Sequence, residues 1–134
     1  RLYKDELPEN NVFISIPARF LLKSWQVCDF PKLDKQIKYF DLWHATNYLA
    51  PPTKKPLLIT IHDLTMLKYP HLVSQHVKSL APIIKRRLQS GAHVHVPAQA
   101  IADDVLEYFG KEIKKDRVHV GPFAATFHWN FRAT

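Results

Sequence analysis

The sequence predicts an α/β fold built on a Rossmann-like parallel sheet, and three observations predict it. Short β-branched runs alternate with segments of helical apolar spacing, the order expected of strand-helix-strand units. The run Pro56-Leu57-Leu58-Ile59-Thr60-Ile61 is apolar throughout and stops at His62-Asp63, as a buried parallel strand does when it delivers polar side chains to a crevice. Just upstream, Phe40-Asp41-Leu42-Trp43-His44 ends in the same way, with Thr46 and Asn47 following.

Taken in order, Arg1 to Asn11 is a polar lead-in, and Val12 to Ile16 is expected as a short strand stopped by Pro17. Ala18 to Val27 has the spacing of a short helix, with Lys23 and Gln26 on its wet side. Leu33, Ile37 and Phe40 fall at helical spacing with lysines between them. The first histidine strand is placed at Phe40–His44 and the second at Leu57–Ile61, joined by a loop in which Pro51, Pro52 and Pro56 lack amide donors. Asp63 to Pro70 reads as loop. Val73, Val77, Leu80, Ile84 and Leu88 mark one helical face from Leu72 to Gln89, with Pro82 predicting a kink or a junction near Ala81. Gly91 is expected to end that helix and Gly110 the next, which runs from Gln99 to Phe109 on an inner face of Ile101, Val105, Leu106 and Phe109. His93–Val96 and Arg117–Val120 are the remaining strands. Residues 1–122 are assigned to one domain, and 123–134 to a linker or tail.

Composition narrows the class of function. The chain has 134 residues, about one domain, with 46% hydrophobic and 23% charged content, as in ordinary soluble proteins. A single cysteine, Cys28, excludes an intrachain disulfide framework and a cysteine-built zinc site, and agrees with a reducing, cytoplasmic setting. No apolar run is long enough to span a bilayer. With only 3 glycines there is room for neither a GxGxxG fingerprint nor a P-loop. The net charge of +7 suits nucleic acid, anionic lipid or phosphorylated substrates. No aromatic-basic interleaving or recognition-helix pattern supports nucleic acid, and no partner of that kind is expected. Lys85-Arg86-Arg87 is read as a solvated helix end, with a possible peripheral membrane contact as its sharper reading. Eight histidines offer no HExxH-like spacing, so no metal is expected. His93, His95 and His119 alternate with valines and are expected on the outer or helix-covered face of short strands; Cys28, Trp25 and Trp43 are expected in the core, and Asp103, Asp104 and Glu107 on a solvated helix face.

The ordered set Asp41-Leu42-Trp43-His44-Ala45-Thr46-Asn47-Tyr48, Pro51-Pro52, Thr60-Ile61-His62-Asp63-Leu64 and Tyr69-Pro70 is similar to the family 4 glycosyltransferases of the GT-B fold. The resemblance continues through Gly91–Pro97, Ile101–Val105, Phe109-Gly110 and Arg117–Val120. It implies the later part of an acceptor-side, N-terminal domain of a retaining hexosyltransferase. Such an enzyme uses a nucleotide-sugar donor without metal or other cofactor, and its active site faces a second domain. The resemblance implies for His62 a contact to the donor sugar near the reacting centre, where an imidazole can steady developing charge. It makes His44, Thr46 and Asn47 candidates for acceptor contacts; Asp63, in the same site, is expected to accept amides in the turn that follows. The acceptor would be a sugar or a lipid-linked sugar, and the isolated chain is expected to be inactive. A non-catalytic interaction module of the same fold, and a basic nucleic-acid-binding domain, are the alternatives. Ala98-Gln99 departs from the family's usual serine and acidic residue, leaving a helix start without a side-chain cap.

Overall fold

A computed structural model describes residues 14–122 except 35, 38 and 39. Four parallel strands form one sheet in the order β1 (Trp43–Ala45), β2 (Leu57–Thr60), β3 (His93–Val96) and β4 (Val118–Val120). Parallel neighbours cannot be joined by tight turns, so each connection crosses over the sheet. Helix α1 (Ala18–Val27) precedes β1. Between β2 and β3 run α2 (Thr65–Lys68), α3 (Gln75–Lys78) and α4 (Leu80–Gln89), and α5 (Gln99–Phe109) joins β3 to β4. This is the Rossmann-like α/β arrangement the sequence predicts.

The register pairs Ile59 with Val94 and Thr60 with His95, and His95 in turn with His119. Because side chains alternate along a strand, this register sorts the sheet into two unlike faces. Leu57, Ile59, Ile61, Val94 and Val96 share one face and are buried against Ile84 and Leu88 of α4 and Ala102, Val105 and Phe109 of α5. Each such side chain contributes about 1.5–3 kcal/mol of transfer free energy. A second cluster joins α1 to α4 through Leu22, Trp25, Leu33 and Ile83, and Trp43 of β1 packs against both. The opposite face carries His44, Thr60, His93, His95 and His119. The valine-histidine alternation puts the three histidines on one face, and the packing of α4 and α5 against the valines makes it the face opposite those helices. His93 and His119 stack at 5.1 Å between ring centroids, Nδ1 to Nε2 at 2.8 Å.

Several elements differ from the sequence reading. Val12 and Phe13 lie outside the described residues; Ile14 to Ile16 form no strand, with Ile16 exposed ahead of Pro17. Leu33, Asp34 and Gln36 form turns instead of helix, because Asp34 is committed to tertiary bonds: it accepts from the Trp43 indole at 3.1 Å, the Lys54 amide at 2.8 Å and the Thr53 hydroxyl at 2.5 Å. Part of the Asp63–Pro70 loop winds into α2, whose Met66 joins the core. The long helix divides at Ser79, two residues before Ala81, so the expected junction forms in place of a kink. Pro82 then falls in the first turn of α4, where its missing amide has no partner to lose. Gly91 ends that helix region at φ +98°, a conformation that favours glycine, whereas Gly110 is right-handed and gives α5 no left-handed cap.

Two expectations about side chains are overturned. Cys28 is exposed at the C-cap of α1, where the turn carries it off the helix's inner face. Arg87 is not at a solvated helix end: it is 2% exposed and pairs with Asp29, which also takes a two-pronged contact from Arg86 at 2.9 and 3.2 Å. Position 87 shares the inward face of α4 with Ile83 and Ile84. Asp29, held at φ 54° after α1, brings the carboxylate to it. Lys85 remains half-exposed and bridges to Glu112 at 3.0 Å. Burial alone pushes the Arg87 guanidinium below its ordinary pKa. Trp25 is in the core as expected, and Trp43 is half-buried at its edge. Asp104 is drawn from the solvated face into a contact with Lys68 at 2.8 Å, linking α5 to α2.

Candidate functional site

The carboxyl ends of β1 and β2 deliver the candidate residues, the place where open parallel sheets bind ligands. Past β1 the chain must turn sharply. Tyr48 takes φ 38°, and its amide donates to the Thr60 carbonyl at 3.3 Å, tying the loop to β2. Past β2, Ile61 still pairs with β3, its amide donating to the His95 carbonyl at 2.9 Å. His62 is the first residue beyond that bond, and it is exposed.

Two polar groups result. In the first, His62 Nε2 lies 3.0 Å from the Thr46 carbonyl. A carbonyl only accepts, so Nε2 carries a proton in this contact. The Tyr48 ring stands edge-on to His62 at 6.1 Å, and its hydroxyl donates to Asp63 Oδ2 at 2.8 Å. Asp63 Oδ1 accepts the Thr65 amide at 2.8 Å, closing the turn into α2. Asp63 thus accepts the amide bond that the sequence predicts. Partial burial would raise the Asp63 carboxyl, but the Thr65 hydroxyl and amide and the Tyr48 phenol outweigh it and hold it below the usual range. The same contact, together with burial as the larger cause, pushes the Tyr48 phenol up to about 12.

The second group runs across the sheet. His44 Nε2 lies 2.9 Å from Thr60 Oγ1, Thr60 Oγ1 is 3.4 Å from His95 Nδ1, and His95 Nε2 donates to the Gly121 carbonyl at 2.9 Å. That last bond fixes the His95 tautomer and leaves Nδ1 as acceptor. Thr60 therefore donates to His95 and accepts from His44. Thr60 is buried, so both its bonds matter. A β-carbon at Gly121 would come 2.9 Å from His95 Nε2, which makes glycine the fitting residue there.

The structure therefore joins His62, Thr46 and Asp63 around Tyr48, and places His44 in a separate chain with Thr60 and His95. Asn47 is exposed beside the first group. Sequence reading missed Tyr48, Thr60 and His95 as members. Their parity along the strands was the available signal for the last two; Tyr48 had none, since its place depends on the left-handed turn. Among the described residues, no group of three or more histidine, cysteine, aspartate or glutamate side chains is arranged to hold a metal ion. No described helix is long and apolar enough to cross a membrane.

A four-stranded parallel sheet flanked by helices, with histidine and hydroxyl groups gathered at its carboxyl ends, defines a Rossmann-like α/β domain. The model of Glycosyltransferase Family 4 matches residues 3–131, and the chain belongs to that family. No curated protein and no solved structure matches it significantly.

Proposed function

We propose that this glycosyltransferase domain forms the acceptor side of a retaining hexosyltransferase of GT-B type, with His62 contacting the donor sugar. The observation that carries the reading is His62 itself: exposed at the end of β2, its Nε2–H held by the Thr46 carbonyl and its flank set by Tyr48. In this reading the nucleotide-sugar is gripped by a second Rossmann-like domain facing the crevice. The His62 imidazole meets a sugar hydroxyl or steadies charge as the glycosidic bond breaks. Thr46 and Asn47, both exposed next to it, meet the acceptor with His44, and Asp63 shapes the loop that presents them. The reaction as proposed uses no metal, and the acceptor is a sugar or a lipid-linked sugar.

The test is nucleotide release from the nucleotide-sugar by a two-domain enzyme containing this chain, with the product's anomeric configuration read by NMR. Retention, together with a large loss of kcat in His62→Ala, is expected. Inversion, or unchanged turnover in the variant, overturns the proposal. The 134-residue chain alone is expected to release no nucleotide.

A further inference from the structure

Tyr48 sits where its own backbone resists. Its φ of 38° is in the left-handed region, which bulky residues rarely enter and where glycine sits at no steric cost. Such a conformation persists only where the surroundings over-determine it, and residues held this way gather at working sites. Three anchors over-determine Tyr48. Its amide donates to the Thr60 carbonyl at 3.3 Å, its ring packs against the main buried cluster, and its hydroxyl donates to Asp63 Oδ2 at 2.8 Å. The same loop carries the Thr46 carbonyl, two residues earlier, to within 3.0 Å of His62 Nε2.

What these anchors hold is an angle. The backbone at His62 is fixed from both sides: the Ile61 amide donates to the His95 carbonyl at 2.9 Å, and Leu64 is buried. That leaves the direction of the exposed imidazole to its two side-chain torsions. One hydrogen bond, from Nε2 to Thr46, still allows the ring to pivot about the bond. The Tyr48 ring stands against it at 6.1 Å between centroids with the planes 80° apart, an edge contact that stops the pivot. The Tyr48 phenol is not itself offered to substrate. Its proton goes to Asp63, and burial, with that carboxylate's help, pushes its pKa up to about 12.

We infer that Tyr48 is the positioning residue of this site: its ring holds the His62 imidazole at the angle at which it meets the donor sugar. This role depends on the one proposed for His62, through which Tyr48 acts. Asp63 belongs to the same device, since it pins the phenol and closes the turn on the Thr65 amide at 2.8 Å. Orientation matters to rate because misplacing a contact at the reacting centre by about 1 Å can cost roughly a hundredfold.

The experiment is a double-mutant cycle on kcat in a two-domain enzyme containing this chain, using Tyr48→Leu, His62→Ala and the two combined. Tyr48→Leu is expected to lower kcat roughly tenfold or more with the donor KM little changed, and Tyr48→Phe, which keeps the ring, to lower it less. In the His62→Ala background Tyr48→Leu should cost nothing further, because the imidazole it positions is gone. An equal Tyr48→Leu loss with and without His62 marks a merely structural role and overturns the inference while His62 keeps its proposed part. Parent kcat in Tyr48→Leu does the same. Parent turnover in His62→Ala overturns the proposed function and this inference with it. Should Tyr48→Leu misfold, Tyr48→Phe carries the cycle, and NMR of the histidine rings in the full chain reads orientation without turnover. The His62 ring signals are expected to shift in Tyr48→Phe while those of exposed His71 stay in place; unmoved His62 signals overturn the inference.

Discussion

Two carboxylates, one between helices and one at the end of a strand, accept comparable sets of donors and do different work. Asp29 sits between α1 and α4 and takes Arg86 and Arg87, one of them buried. Asp63 sits at the end of β2 and takes a phenol and a backbone amide. The first arrangement encloses a full charge, and the Arg87 Nε has no partner. Its value to the fold lies in not leaving that charge alone. The second encloses no full counter-charge and leaves its neighbour His62 exposed at the crevice. A carboxylate's partners and position, more than its burial, separate scaffold from site.

Asp29→Ala breaks the comparison most sharply. Stranding a buried guanidinium is expected to cost about 3–5 kcal/mol in urea denaturation, and a loss under about 1 kcal/mol would show that water replaces the carboxylate. His62→Ala is the counterpart: kcat of a two-domain enzyme should fall roughly 10²–10³-fold, while stability stays within about 0.5 kcal/mol because the side chain is exposed. If the same variant instead destabilises the domain and spares turnover, site and scaffold have been assigned the wrong way round.

Tyr48→Phe should cost about 1 kcal/mol for the lost bond to Asp63. Its pH dependence is the sharper readout. The phenol's pKa is raised in the folded protein, from 10.0 to about 12, so its contribution is complete below about pH 10 and drains away as pH rises toward 12. Asp63 is lowered, so its contribution is present above its ordinary value near 3.8 and is lost as pH falls below that. Denaturation midpoints across alkaline pH should slope downward in the parent and slope less in Tyr48→Phe. Parallel slopes would sever the phenol from the effect.

The smallest change is a gain. Ala98 stands at the N-cap of α5 in extended geometry and makes no capping bond. Ala98→Ser should add about 1 kcal/mol by satisfying an amide of the first turn, measured by the same denaturation; no gain would mean the amides are already served.

Much of this was legible in the chain. Helices Ala18–Val27 and Gln99–Phe109 were bounded correctly because their apolar spacing and flanking residues agree with the tertiary context. The strands at Leu57 and His93 were equally clear, since continuous or alternating β-branched runs have few other uses. The Leu33 segment failed because Asp34 spends its acceptor capacity on Trp43, Thr53 and Lys54, partners far along the chain that no local pattern announces. The basic run failed in the same way: spacing places Arg87 on the inward face, but only Asp29's approach makes that placement tolerable.

The sequence by itself determined the parallel α/β class, the separation of the histidines from the valines by strand alternation and the position of His62 at a strand end. Those follow from periods of two and of three to four residues, which are local. Tertiary structure alone decided that Tyr48 joins His62 and Asp63, that Thr60 links His44 to His95, and that Arg87 is enclosed. Each of these depends on register between strands or on the approach of a distant segment, and both are set by packing the whole sheet and its helices at once.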